Sequence, residues 1–148
     1  MALSRRLPRN FNAQVVNRII DANTNRVKEG LRVCEEIARF VLNNKALTFQ
    51  VRELRHRVKR LVKGLVKPEQ LLQERQSDAD VGRYLYGAEL KRKNIGDIFF
   101  ANIQRVKESL RVLEEFSKLI NTRAAIGFKQ LRYDVYSFER GVARSKKI

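Results

Sequence analysis

Tryptophan is absent from this 148-residue chain, cysteine, histidine and methionine occur once each, and proline occurs twice. A lone Cys34 excludes an internal disulfide and fits a reducing compartment. His56, flanked by Arg55 and Arg57, has no partner at metal-ligand spacing and reads as a surface residue. No apolar run approaches the roughly 20 residues that span a bilayer. Arg5, Arg6 and Arg9 are followed by Asn10 to Asn12 rather than by the apolar stretch of a secretory signal, so a cytoplasmic protein is expected. The chain also lacks a Gly-x-x-x-x-Gly-Lys phosphate loop, Gly-x-Gly-x-x-Gly, His-Glu-x-x-His and Gly-x-Ser-x-Gly.

Acidic residues are half as numerous as basic ones, 16 against 32, which leaves a formal charge of +16. Such a field attracts phosphates, nucleotides or nucleic acid. The same composition also suits surface ion-pair networks of the kind found in thermophile proteins. With 43% hydrophobic residues the chain is apolar enough to fold, and its length suits one domain, 1–148.

What the chain does have is a duplication. Shifted by 79 positions, Ala22-Asn23, Arg26 to Glu29, Leu31 to Val33 and Glu35-Glu36 match Ala101-Asn102, Arg105 to Glu108, Leu110 to Val112 and Glu114-Glu115. Leu54-Arg55 matches Leu131-Arg132 at an offset of 77. Each repeat, about 14–66 and 95–146, reads as two helices and a turn. The first helix runs from about Gln14 to Leu42 and closes at Asn43-Asn44. In the second, Leu47, Val51, Leu54, Val58, Leu61 and Leu65 alternate spacings of four and three, and Leu131, Val135, Phe138 and Val142 repeat that seam. No stretch alternates as a strand does. The fold class is therefore all-α: antiparallel helix pairs in a four-helix bundle with an internal pseudo-twofold.

Residues 67–94 join the repeats, with Pro68 opening a short helix through Arg75 and Ser77 to Gly82 forming a turn-like stretch. A connection this long suggests either a functional loop or a flexible linker.

On a wheel of roughly 100° per residue, Ile20, Val27, Leu31, Val33, Cys34, Ile37, Ala38, Phe40 and Val41 share a broad arc expected to be buried. Asn23, Arg26 and Gly30 lie within it, as do Asn102, Arg105 and Ser109 in the second repeat. A guanidinium on a buried face needs an anionic or carbonyl partner. One reading makes these residues a phosphate or small-heterocycle site, the two copies facing one another across the pseudo-twofold, with a gap beside Gly30 or Ser109. The other pairs Arg26 and Arg105 with glutamates across the bundle and uses Gly30 and Ser109 for close helix approach. Adjacent acids splay apart on a helix, so a metal site from Glu36 and Glu115 needs both repeats. Asp78 and Asp80 are the better magnesium candidates, with a turn-forming role as the alternative. Tyr133, Tyr136 and Phe138 read as packing residues, although their basic neighbours leave nucleic acid open.

The segment Arg18-Ile19-Ile20-Asp21-Ala22-Asn23, continuing through Arg26, Glu29-Gly30-Leu31-Arg32, Glu35-Glu36 and Arg39-Phe40, resembles the alternative hydroxymethylpyrimidine phosphate kinase family. This small helical domain occurs alone or fused ahead of thiamine-phosphate synthase. Ala101-Asn102, Arg105, Glu108, Leu110 to Glu115 and Phe128 to Tyr133 extend the resemblance over nearly the whole chain. Where the family has Arg-Asp-Thr-x-x-Asp-Val-Gly-Thr, this chain has Arg75, Ser77, Asp80, Val81 and Gly82 in register, with Gln76 in place of the first Asp and Arg83 in place of the final Thr. The resemblance implies phosphorylation of a pyrimidine monophosphate, with ATP and Mg2+. It implies phosphate-binding roles for Arg26, Arg105 and Arg75, and catalytic or metal-organising roles for Asp80 and Asp78 with a paired Glu. A homodimer could enlarge the site with the loop as a lid. A non-catalytic pyrimidine-phosphate-binding or docking module for thiamine-phosphate synthase, and an RNA-binding protein, are the alternatives.

Overall fold

Asparagine side chains start three of the long helices. Asn44, Asn94 and Asn121 accept from the backbone N–H of Leu47, Asp97 and Arg123 at 2.9, 2.8 and 2.9 Å, satisfying donors that have no partner inside the helix. In the computed structural model, residues 9–84 and 87–148 are described, with side chains from 13 onward except those of 88 and 89. Arg5 and Arg6 lie outside the described residues. The elements are α1 (Arg9–Glu36), a π-helical turn (Ile37–Val41), α2 (Lys45–Lys63), α3 (Pro68–Glu74), 3-10 turns at Ser77–Ala79 and Gly87–Leu90, α4 (Ile95–Ser117) and α5 (Thr122–Arg144). No strand occurs among the described residues.

α1 packs on α2 and α4, and α5 on α4 and α2, so the four long helices close a ring around one apolar core. Leu47, Val51, Leu54 and Val58 line it from the first repeat and Leu131, Val135, Phe138 and Val142 from the second, all buried. The duplicated seam is thus the core. Arg57 of α2 donates to Asp134 of α5, its own counterpart at the offset of 77. A residue meets its counterpart only near a twofold axis, which locates the pseudo-axis at this crossing.

The turn between α1 and α2 closes as expected at Asn43, in the left-handed region at φ 48°. The expected arc is too broad, however. Phe40 and Val41 are exposed, and Leu42 takes the last core position. Ile37–Val41 winds with i→i+5 bonding, so a uniform 100° step no longer describes it. Among the described residues, no helix is long and apolar enough to cross a membrane.

Candidate functional site

The duplicated Glu-Glu pairs divide into one buried and one exposed carboxylate. Glu35 is held by Arg55 at 2.9 and 3.1 Å and by Arg52 at 3.2 Å. Its counterpart Glu114 is held by Arg132 at 3.1 Å and Arg111 at 2.8 Å. Each pair ties the two helices of its own repeat together. Desolvation is the largest single influence on both carboxyls and pushes them up. The arginine hydrogen bonds and charges together outweigh it, so both lie below the ordinary carboxylate value. The outer acids, Glu36 and Glu115, pair with surface cations: Arg32 with the first, Arg111 and Lys118 with the second. Glu36 also stands 15 residues along α1 from Asp21, roughly 22 Å. The structure brings neither acid together with Asp78 and Asp80, and the described residues contain no cluster of three metal-ligating side chains.

Asn23 and Asn102 play the same local part, each donating its amide to the carbonyl four residues back, Ile19 at 2.8 Å and Ile98 at 2.7 Å. The arginines beside them differ. Arg26 is half-buried and donates to Asn23 Oδ1 at 3.3 Å, whereas Arg105 is exposed, contrary to the buried position expected from the wheel. Neither arginine meets a carboxylate among the described residues, so the cross-bundle ion pairs considered above are not formed.

Gly30 marks a close helix crossing and no gap. A Cβ built there would lie 2.6 Å from Val106 Cγ2 and 3.1 Å from the Asn102 carbonyl oxygen. Ser109 is likewise buried at the interface side of α4. Because Asn102 lies against Gly30 while Asn23 is seven residues back along α1, the two asparagines stand roughly 10 Å apart along the bundle. The two trios are therefore offset along the bundle rather than directly opposed.

The connecting segment makes the first repeat different. After α3 the chain turns back onto α1, where Arg75 grips Asp21 with two parallel bonds of 2.7 Å each. Asn17 adds a 2.9 Å bond to Glu74. The Arg75 guanidinium is thus engaged by a carboxylate, which raises its pKa and ties its Nε and Nη2 to Asp21. Its grip places Gln76, Ser77 and Asp80 over the outer face of α1.

Between that loop and α1 lies a cleft of about 560 Å³, whose polar walls include Arg18, Asn23, Arg26, Ser77 and Asp80. Arg18 and Arg26 are its cations without a carboxylate partner among the described residues. One oxygen of Asp80 accepts from Gly82 N at 2.9 Å. Asp78 points elsewhere, fully exposed and 3.4 Å from Arg83, and does not line the cleft. Cys34 is buried, and burial with the nearby charge of Glu139 pushes its thiol up to about 12, so it is an inert core group.

Arg18, Asp21 and Asn25 were not singled out by sequence reasoning as site residues. The signal was present in the repeat's mismatches: at the offset of 79, Arg18 and Asp21 correspond to Asp97 and Phe100. The cleft is built where the first copy departs from the second.

Residues 18–141 match the model of the ThiD2 family. Among similar proteins are three thiamine-phosphate synthases. The one from Nostoc punctiforme is 42% identical over 127 residues, covering 85% of this chain and 35% of that protein. The Synechocystis protein is 39% identical over 134 residues, covering 90% and 38%, and the Rhodopirellula baltica protein 34% over 148 residues, covering 94% and 39%. This chain spans little more than a third of the length of these relatives. No solved structure matches it. With the family model covering most of the chain, including Arg18, Asp21, Arg26, Arg75 and Asp80 of the α1 cleft, the chain belongs to the ThiD2 family.

Proposed function

We propose that the chain serves thiamine biosynthesis by phosphorylating 4-amino-5-hydroxymethyl-2-methylpyrimidine phosphate to the diphosphate, with ATP as donor. The observation that carries this reading is the cleft on α1, where two arginines without carboxylate partners, Arg18 and Arg26, face the Asp80 loop. Its family membership and its likeness to part of several thiamine-phosphate synthases support the pathway.

The chemistry asks little of the protein in proton transfer. The nucleophile is an oxygen of the substrate's own phosphate, which is largely ionised at neutral pH because its second pKa is about 6. That oxygen forms a bond to the γ-phosphorus of ATP as the bond to the β–γ bridging oxygen breaks, and the electron pair leaves with ADP. No general base is needed, so neither Asp78 nor Asp80 has to act as one. What the site must do is hold like-charged groups together, a task for guanidinium groups and a divalent cation. Magnesium commonly keeps waters and binds through one or two carboxylates plus substrate phosphates. Asp80, with the Ser77 hydroxyl nearby in the same turn, fits that donor set. When bound, the ion would neutralise charge on the triphosphate. Arg26, held by Asn23, would orient the phosphates, and Arg75 with Asp21 would keep the loop in place.

A second reading, a non-catalytic module that binds the pyrimidine phosphate or docks on thiamine-phosphate synthase, is favoured by the chain's spanning only part of its relatives. Purified chain incubated with ATP, magnesium and the pyrimidine monophosphate separates the two. Diphosphate and ADP in equal amounts, followed by 31P NMR, are expected from the kinase. Saturable binding of the monophosphate without any diphosphate would leave the binding module.

A further inference from the structure

The α1 cleft has a neighbour. A second concavity of about 280 Å³ lies between the start of α1 and the end of α3, with Gln14, Gln73 and Glu74 among its walls. Val15, Arg18 and Gln76 line both hollows, so the two adjoin across a shared wall. Of those three residues only Arg18 carries a charge. It is exposed, and no carboxylate lies within ion-pair distance among the described residues.

The two hollows differ chemically. The larger has a second arginine, Arg26, and the carboxylate of Asp80, a combination suited to a polyphosphate with its cation. The smaller has three amide side chains, Gln14, Gln73 and Gln76, and the Glu74 carboxylate. Amides and a carboxylate complement the donor and acceptor edge of an aminopyrimidine, and apart from Arg18 the smaller hollow has no cation.

We propose that the adjoining clefts hold two phosphorylated ligands at once, the nucleoside triphosphate in the larger and the aminopyrimidine monophosphate in the smaller, with Arg18 as the catalytic residue bridging their phosphates. This assignment rests on the kinase reading above and divides its site in two. Both hollows lie within one chain, so a second copy is not required to complete the reaction centre. The transferred phosphoryl group passes along the shared wall: the monophosphate oxygen attacks from the smaller cleft, ADP leaves in the larger, and the planar guanidinium spans the oxygens of both. Without Arg18 the two anions would face each other across the wall with no cation between them.

The test is calorimetric and needs no turnover. Wild-type chain and Arg18→Gln are titrated with 4-amino-5-hydroxymethyl-2-methylpyrimidine phosphate and with the β,γ-imido analogue of ATP plus magnesium, each alone and with the other at saturation. In the wild type each ligand is expected to bind in the presence of the other with affinity unchanged or improved. In Arg18→Gln, saturation with one ligand is expected to weaken the other by about tenfold or more, an ordinary size for coupling between sites. Thermal melting should match the wild type, since Arg18 makes no ion pair to lose. Mutual displacement of the two ligands in the wild type, or the same coupling in both proteins, would overturn the assignment while leaving diphosphate formation to judge the kinase reading. Failure of both ligands to bind the wild type would remove both together.

Discussion

Gly30 and Gly127 look alike in the sequence, each a glycine inside a long helix, yet their surroundings give opposite expectations. A methyl at Gly30 meets the stiff side chain of Val106 at 2.6 Å and the backbone oxygen of Asn102 at 3.1 Å, so α1 and α4 must part. At Gly127 the obstacle is the end of Leu61, a side chain that can turn away. Overpacking a core costs about 1–3 kcal/mol, and alanine regains about 1 kcal/mol in a helix. Gly30→Ala is therefore expected to lower the melting temperature and Gly127→Ala to leave it level or raise it, measured by thermal denaturation. The buried carboxylates give a second expectation at this scale. Glu35 and Glu114 titrate lower in the folded chain than in the unfolded one, so their stabilisation is present above about pH 4.5 and is lost as pH falls through the folded values. Replacing both with Gln should reduce stability at neutral pH and flatten the acid limb of a stability profile. The repeat made Asn23 and Arg26 legible as a pair. It left open which of two adjacent glutamates turns inward, because that depends on where α2 lies.

The helices were legible because their apolar seams are periodic and local; α3 and the following loop were legible only as a connection. What fixes the loop is Arg75 on Asp21, a polar contact between residues 54 positions apart that has no sequence period. Asp21 is buried but Arg75 is 41% exposed, so the pair stays open to solvent on the arginine side and should matter more to the loop than to the fold. Asp21→Asn is expected to change global stability by less than about 1 kcal/mol while speeding amide hydrogen exchange in residues 75–84. Equal protection of that segment in both proteins would show that the loop is held by something else. The same contact makes Arg75, a phosphate candidate in the sequence, a fastener of the cleft it lines.

At the scale of the whole molecule, the duplication yields a symmetric scaffold and an asymmetric surface. The scaffold's symmetry is tested where Arg57 meets its counterpart Asp134. Arg57→Asp places two acids at the crossing, and Asp134→Arg two cations. Each single change is expected to cost up to about 1 kcal/mol, and the exchanged pair to recover most of it, in a double-mutant cycle by denaturant unfolding. The asymmetric surface holds the cleft on which the proposed function rests. Asn23 and Arg26 sit beneath a loop, whereas Asn102 and Arg105 have Phe100 where the first repeat has Asp21. The sequence repeat suggested two equal trios meeting at one site, because self-comparison reports what the copies share; the loop that distinguishes them has no copy to be compared with.

The measurement that bears most directly on this account is the rate of diphosphate formation from ATP, magnesium and the pyrimidine monophosphate by wild type, Arg26→Met and Arg105→Met. The cleft on α1 requires kcat/KM to fall about 100-fold or more in Arg26→Met, the loss of roughly 2.7 kcal/mol of phosphate stabilisation, and to stay within about twofold in Arg105→Met. Equal losses in the two variants, or no diphosphate from the wild type, would contradict it.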